Sequence, residues 1–183
     1  MRNVVLYIAM SLDGYIADKN GGVGWLSGEN PDGDDMQSYA GFIETVDTVI
    51  LGYKTYRQIV TELSPGSWIY SGKTSYVLTH RKEASTDEIR FTDMSPAQLI
   101  ANLKAQPESD KDIWVCGGAD IVTQMMDGNL IDRFHITVIP TILGEGIRLF
   151  QRREKGLINR LRLVSTAAYN GLVDLVYEPL LKN

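Results

Sequence analysis

The sequence is poor in the residues that staple, ligate or anchor a chain. A single cysteine, Cys116, excludes an intrachain disulfide, and nothing else suggests secretion, which points to the cytoplasm. His80 and His135 are the only histidines and neither belongs to a ligand-spaced cluster, so no metal site is expected. No G-x-S-x-G elbow is present to serve a serine hydrolase. Basic charge is not in excess: 18 Lys and Arg stand against 23 Asp and Glu, for a net charge of −5. Such a chain has no overall field to draw in a phosphate backbone, and no nucleic-acid partner is expected. Long hydrophobic runs are missing too. The longest early one, Val4 to Met10, is too short to cross a bilayer and leads into Ser11-Leu12-Asp13-Gly14 rather than a cleavage site. It reads as a strand, with no membrane partner implied.

Two nucleotide signatures are also lacking. The stretch Gly66-Ser67-Trp68-Ile69-Tyr70-Ser71-Gly72-Lys73-Thr74 ends like a P-loop, but it has five residues between its glycines and bulky side chains where a phosphate would lie. No G-x-G-x-x-G follows the first strand, which disfavours a standard Rossmann domain.

What is present is an alternation of strand-like and helix-like segments within 183 residues, a length suited to one domain. Apolar runs of strand length occupy Val4 to Met10, Thr48 to Leu51, Ser75 to Leu78, Ile113 to Cys116 and Phe134 to Ile139. Between them the pattern predicts helices over Met36 to Thr45, Lys54 to Val60, Pro96 to Ala105 and Asp120 to Met126. Ser95 and Pro96 are suited to the cap and first position of the third helix, and Leu99, Ile100 and Leu103 give it an apolar stripe. The last quarter reads as an antiparallel hairpin, Leu161 to Tyr169 and Leu172 to Leu180, turning on Asn170-Gly171. Val173, Leu175 and Tyr177 alternate with Asp174, Val176 and Glu178, which predicts one well-buried apolar face. The fold class is therefore α/β, with a mostly parallel sheet that turns antiparallel at its C-terminal end.

Chemistry is concentrated where strands hand over to helices. Asp112-Ile113-Trp114-Val115-Cys116-Gly117-Gly118-Ala119-Asp120 runs from a buried strand through two glycines into a helix, a place for close ligand approach and for a phosphate at free amides; a tight turn that binds nothing is the competing reading. Cys116 reads as a small buried hydrophobe rather than a nucleophile. Gly52-Tyr53-Lys54-Thr55 and Thr79-His80-Arg81 repeat the arrangement with hydroxyl and cationic groups. In the acidic segment Glu29 to Asp35, the carboxylates are expected to cap the following helix, the alternative being that Asp34 or Asp35 faces a crevice as proton donor or substrate anchor. His135 reads as a structural residue.

In order, these pieces resemble the dihydrofolate-reductase-like superfamily, and within it the reductase domain of the bifunctional riboflavin-biosynthesis deaminase-reductase. The markers are Ser11-Leu12-Asp13-Gly14-Tyr15-Ile16-Ala17, Val115-Cys116-Gly117-Gly118-Ala119, and Ile131-Asp132-Arg133 leading to Pro140-Thr141-Ile142-Leu143-Gly144-Glu145-Gly146. The resemblance implies a three-layer αβα fold binding NADPH across strand ends. By position it assigns Ala9, Ile16 and Gly22 to the nicotinamide, and Gly52, Tyr53, Lys54 and Thr55 to the pyrophosphate and adenosine side. Thr79, His80 and Arg81 fall to the adenosine 2′-phosphate, and Gly117, Gly118, Ala119 and Asp120, with Cys116 before them, to a second pyrophosphate turn. It implies hydride transfer to a small, pteridine- or pyrimidine-like substrate. Asp34, Asp35 or bound water would be the proton source, and Trp25, Tyr39 and Thr137 would contact the substrate. Tyr53-Lys54-Thr55-Tyr56-Arg57 departs from the acidic, proline-containing segment of the riboflavin reductases and is closer to the dihydrofolate-reductase version. A pterin reductase and a non-catalytic NADPH-binding protein are the alternatives, and a homodimer through Leu143 to Phe150 is compatible with either.

Overall fold

A computed structural model describes residues 2–106, 109–151 and 159–180. Ten strands and four α-helices follow one another as β1 (Val4–Ser11), β2 (Tyr15–Ala17), α1 (Gln37–Glu44), β3 (Val46–Gly52), α2 (Tyr53–Gln58), β4 (Thr74–Leu78), β5 (Ile89–Thr92), α3 (Pro96–Lys104), β6 (Asp112–Gly117), α4 (Ala119–Asp127), β7 (Arg133–Ile139), β8 (Ile147–Arg148), β9 (Leu161–Tyr169) and β10 (Leu172–Pro179). The main sheet runs β5-β4-β3-β6-β1-β7-β10-β9. Its first six strands are parallel, and β10 pairs antiparallel with both β7 and β9. β2 and β8 form a small separate ribbon.

The parallel strands are buried because both faces are covered. On one face Val4, Leu6, Ile50, Ile113 and Val115 pack with Leu99, Ile100 and Leu103 of α3 and with Val122 and Met125 of α4. On the other, Val49, Leu51, Val77 and Trp114 pack with Ile59 and Tyr70, with Tyr39 and Phe42 of α1 against them. Fully burying each such side chain contributes about 1.5–3 kcal/mol relative to leaving it in water. The capping box at Ser95 is formed as expected: Gln98 N donates to Ser95 Oγ and Ser95 N to Gln98 Oε1. Asn170 and Gly171 have φ of +46° and +75°, the pair of left-handed residues that a two-residue hairpin requires.

Four expectations are corrected. The strand β5 and the β2–β8 ribbon are not legible in the sequence, because each is short and without sustained alternation. The second helix does not stop at Val60 but continues as a π-turn over Ile59–Leu63. The helix starting after Met36 has no side-chain cap. Asp34 instead accepts from Met36 N at 2.9 Å, and Asp35 accepts from Gly28 N at 2.9 Å and from the Asn170 amide. Asp35 thereby fastens the 28–35 loop to the hairpin tip, where Glu29 N also donates to Asn170 O at 3.0 Å. Finally, Val173 is 38% exposed whereas Asp174 is only 3% exposed. The helices pack mainly on β3, β4 and β6, so Val173 near the hairpin tip runs out beyond their cover while Asp174 is enclosed, and Leu175, Val176, Tyr177 and Glu178 on the two faces are all half-buried.

Candidate functional site

The C-terminal ends of the parallel strands open into a cavity of about 1120 Å³, which is where open α/β sheets receive ligands. Three junctions form its walls: Gly52-Tyr53-Lys54-Thr55 between β3 and α2, Thr79-His80 after β4, and Gly118-Ala119-Asp120 at the start of α4. Gly118 is the α4 N-cap and has no side-chain cap, leaving first-turn amides free to meet an anion. The first and third junctions touch. A β-carbon on Gly118 would stand 3.3 Å from Thr55 Oγ1, and one on Gly52 would stand 3.2 Å from Ile121 Cγ1. A β-carbon at either position would press on the facing side chain by a few tenths of an ångström, so glycine eases the approach of the two helix starts. Gly117 is buried behind them with φ of +123°, in the region that favours glycine, and its bond to Gly118 is cis.

Other walls come from β1 and the segment after it. Ala9 and Ile16 line the cavity, as do Lys19 and Gly21 of the loop that follows β2. Gln58 of α2 donates to Gly21 O at 2.7 Å and fixes that loop. The Ser11-Leu12-Asp13-Gly14 turn is pinned from the far side: Asp13 accepts from Ser11 Oγ at 2.6 Å, Leu143 N at 3.1 Å and Gly144 N at 2.7 Å. These bonds, the Ser11 hydroxyl first, hold its carboxyl down to about 2. Cys116 lines the cavity, and burial pushes its thiol up to about 11, the nearby Tyr70 hydroxyl offsetting part of this.

Of the residues assigned from sequence, Ala9, Ile16, Gly52, Tyr53, Lys54, Thr55, Thr79, His80, Cys116, Gly118, Ala119 and Asp120 come together on the cavity. Arg81 stands next to it, exposed, its guanidinium 4.9 Å from the Tyr53 ring centroid. Gly22 is turned into its own loop, where it bonds Asp18 and accepts from the Trp25 indole at 3.2 Å. Asp34 and Asp35 are engaged at the 28–35 loop and do not line the cavity. The cavity also takes in Tyr70, Met94, Ser95 and Pro96. The last three were missed because they follow β5.

Beside Ala9 the sheet continues into a second group. Tyr39 packs near Tyr7 and Trp114, and the Tyr7 ring stacks on Phe42 with centroids 4.2 Å apart. Thr137 is buried and donates to Asp174 at 2.6 Å. His135 Nε2 lies 3.2 Å from the same carboxylate, with its N–H off the line to it. Burial acts to raise the Asp174 carboxyl, but the His135, Thr137 and Ser38 contacts outweigh it and hold the group below the usual carboxylate range. Sequence reading missed Asp174, whose only signal was a carboxylate interrupting an apolar strand.

The mixed eight-stranded sheet, helix-covered on both faces and open at its strand ends, defines a dihydrofolate-reductase-like α/β fold. The chain belongs to the RibD C-terminal domain family, whose profile matches residues 2–173. It is 40% identical over 179 residues to the Bacillus subtilis (strain 168) protein YwjB, covering 96% of this chain and 97% of that one. Among solved structures it is similar to the putative riboflavin biosynthesis protein of Shewanella sp. PV-4, with a TM-score of 0.83 and 28% identity over 98% of this chain and 99% of that one. It also shares the fold of the Enterococcus faecalis dihydrofolate reductase complexed with NADP(H) and RAB-propyl, with a TM-score of 0.66 and 17% identity over 97% and 96% of the chains. No helix among the described residues is long and apolar enough to cross a membrane.

Proposed function

We propose that the protein is a cytoplasmic NADPH-dependent reductase acting on a small heterocycle of the pteridine or pyrimidine kind, similar to the 5-amino-6-(5-phosphoribosylamino)uracil reductase of riboflavin biosynthesis. The observation that carries this reading is the convergence of three strand-end junctions on one cavity, two of them pressed together at Gly118 and Thr55. The residues present fit the cofactor. The α4 amides at Gly118 and Ala119, with Lys54 and Thr55, offer a pyrophosphate both hydrogen bonds and positive charge. Arg81 offers a cation to a 2′-phosphate, and His80 beside it offers a ring nitrogen for hydrogen bonding. Asp120, a carboxylate on the same rim, suits ribose hydroxyls rather than phosphate.

When bound, the cofactor supplies a hydride; the chain itself supplies position, holding two partners at one strand end and excluding water from between them. Ala9 and Ile16 make a small apolar wall for the ring that donates, and Tyr39 and Thr137 lie on the side left for the ring that accepts. With Asp34 and Asp35 engaged elsewhere, the accompanying proton comes from water. The same reading includes a homodimer. Leu149 is fully buried and so belongs to the core, leaving Ile142, Ile147 and Phe150 as the exposed apolar groups of that segment.

Tryptophan fluorescence during titration with NADPH tests the cofactor part, and a saturable response below millimolar concentration is expected. Oxidation of NADPH, followed by absorbance across pterins, deaminated pyrimidines and quinones, tests turnover. Saturable binding with no oxidation of any of them would leave a nucleotide-binding protein without catalysis.

A further inference from the structure

Part of the cavity wall lies away from the three junctions. Gly52, Lys54 and Thr55 mark the start of α2, whereas Ile59, Glu62 and Leu63 line the same cavity from the π-turn that continues the helix. At about 1.5 Å per residue, that is on the order of 10 Å further along. Irregular turns of this kind occur frequently at functional sites. Ile59 packs with Tyr70 and Trp114 on the α1 face of the sheet, the side on which Tyr39 lies. Ile69 and Tyr70 line the cavity too, as does Leu26, from the segment after the Gly21 loop that Gln58 fixes. Leu26, Leu63 and Ile69 are 40%, 53% and 48% exposed. Large apolar groups left wet in a cavity favour a ligand that covers them with apolar surface, by about 25 cal/mol for each Å² removed from water.

Glu62 stands among these groups. Its carboxylate accepts from Gln58 Nε2 at 3.5 Å, the outer limit of a hydrogen bond, and forms no ion pair among the described residues. Lys19, on the loop that Gln58 fixes, is paired instead with Glu145 at 2.8 Å. A negative charge on the wall of a site repels an anionic ligand and attracts a cationic one. We propose that this end of the cavity receives an apolar arm of the substrate that bears no phosphate, and that Glu62 sets the charge order of that arm, cationic over neutral over anionic. The inference rests on the cavity being a reductase site and narrows its substrate class: the heterocycle is kept, and a hydrophobic arm stands where a phosphoribosyl group would be. In the competing account Leu63 and Ile69 are scattered surface groups and Glu62 a solvated one, and neither the size nor the charge of an arm affects binding.

The probes share a uracil ring and differ at its amino substituent: 6-(methylamino)uracil, 6-(benzylamino)uracil, and benzyl analogues carrying a para-aminomethyl or a para-phosphonomethyl group. Affinity for NADP⁺ is measured first by calorimetry, then each probe is titrated into the NADP⁺-saturated protein at low salt. The wild type is expected to bind the benzyl probe at least about tenfold more tightly than the methyl one. The amine is expected to bind at least about threefold more tightly than the benzyl probe, and the phosphonate at least about tenfold more weakly. Glu62→Gln, at an exposed position, is expected to bring amine and phosphonate within about threefold of the benzyl probe. Leu63→Ser, also exposed, is expected to bring the benzyl-over-methyl ratio below about threefold, and both variants to change NADP⁺ affinity less than about twofold. A benzyl probe no tighter than the methyl one, a phosphonate as tight as the benzyl probe, a charge order unchanged in Glu62→Gln, or no binding of any probe would overturn the proposal. If NADP⁺ does not bind, the reductase reading fails separately, and the same series on the cofactor-free protein decides whether the apolar end stands.

Discussion

Thr55 Oγ1 stands 3.3 Å from where a β-carbon would lie on Gly118, so the turn after β3 and the turn after β6 are in contact at the floor of one cavity. Neither turn alone distinguishes a ligand cradle from a tight connection. Their contact makes one continuous surface of hydroxyl, lysine and free amides.

Gly118→Ala follows directly from that contact. Its φ of −79° is open to any residue, so the chain is expected to fold. The added methyl meets Thr55 and intrudes on the amides. Fluorescence titration is expected to show NADPH binding weakened about tenfold, or about 1.4 kcal/mol. Thr55→Ala in the same chain should recover the steric part only, leaving a non-additive double-mutant cycle.

Arg81→Ala tests the adenosine end of the proposed NADPH site. The guanidinium is held over the ring of Tyr53, which lines the cavity, so the side chain stands exposed beside the cavity. Loss of a charged contact to a 2′-phosphate costs about 1.5–3 kcal/mol, roughly ten- to a hundredfold in affinity. NADPH titrations should show that loss and NADH titrations less than about a twofold change. Equal losses would remove Arg81 from the phosphate site.

Asp13 governs an acid dependence. Its folded carboxyl is held at about 2, below the unfolded value of about 3.9. A depressed carboxyl contributes stability that is fully present above the unfolded value and is lost as pH falls through the folded one. Asp13→Asn should therefore melt below the wild type at pH 6, with the gap closing between pH 4 and pH 2. Circular-dichroism melts across that range check it. A gap constant with pH would mean that the pinning of Leu143 and Gly144 does not depend on charge.

Cys116 should be slow. With its thiol at about 11, roughly a thousandth is thiolate at pH 8, against a sizeable fraction in an unfolded chain. Reaction with a disulfide reagent at pH 8 is expected to be at least about a hundredfold slower in the native protein than in guanidinium. Comparable rates would show that the thiol opens to solvent.

The central strands β1, β3, β4 and β6 were legible because strands buried on both faces must be continuously apolar, and the hairpin tip because two consecutive left-handed residues need Asn-Gly. The helix after Ser95 was legible because a capping box is a local bond pattern. By contrast, β5 is four residues at a sheet edge, where exposure allows Arg90, and so no pattern marked it or the Met94 to Pro96 wall that follows. Asp34 and Asp35 were placed at a helix cap on composition, but the cap depends on where the helix begins, and Asp35 was claimed by Asn170 across the fold.

The sequence by itself determined the glycine and cationic junctions at the strand ends, because the backbone freedom and charge that a nucleotide needs are properties of single residues and their neighbours. The tertiary structure alone decided that these junctions share one cavity with Gly118 against Thr55. It also decided that Asp174 is enclosed beside Thr137, while Asp34 and Asp35 are engaged at the 28–35 loop. Asp174, Thr137 and Ala9 meet only through the register of β10 on β7 and β7 on β1, and register is fixed by packing between distant strands rather than by any local run of residues.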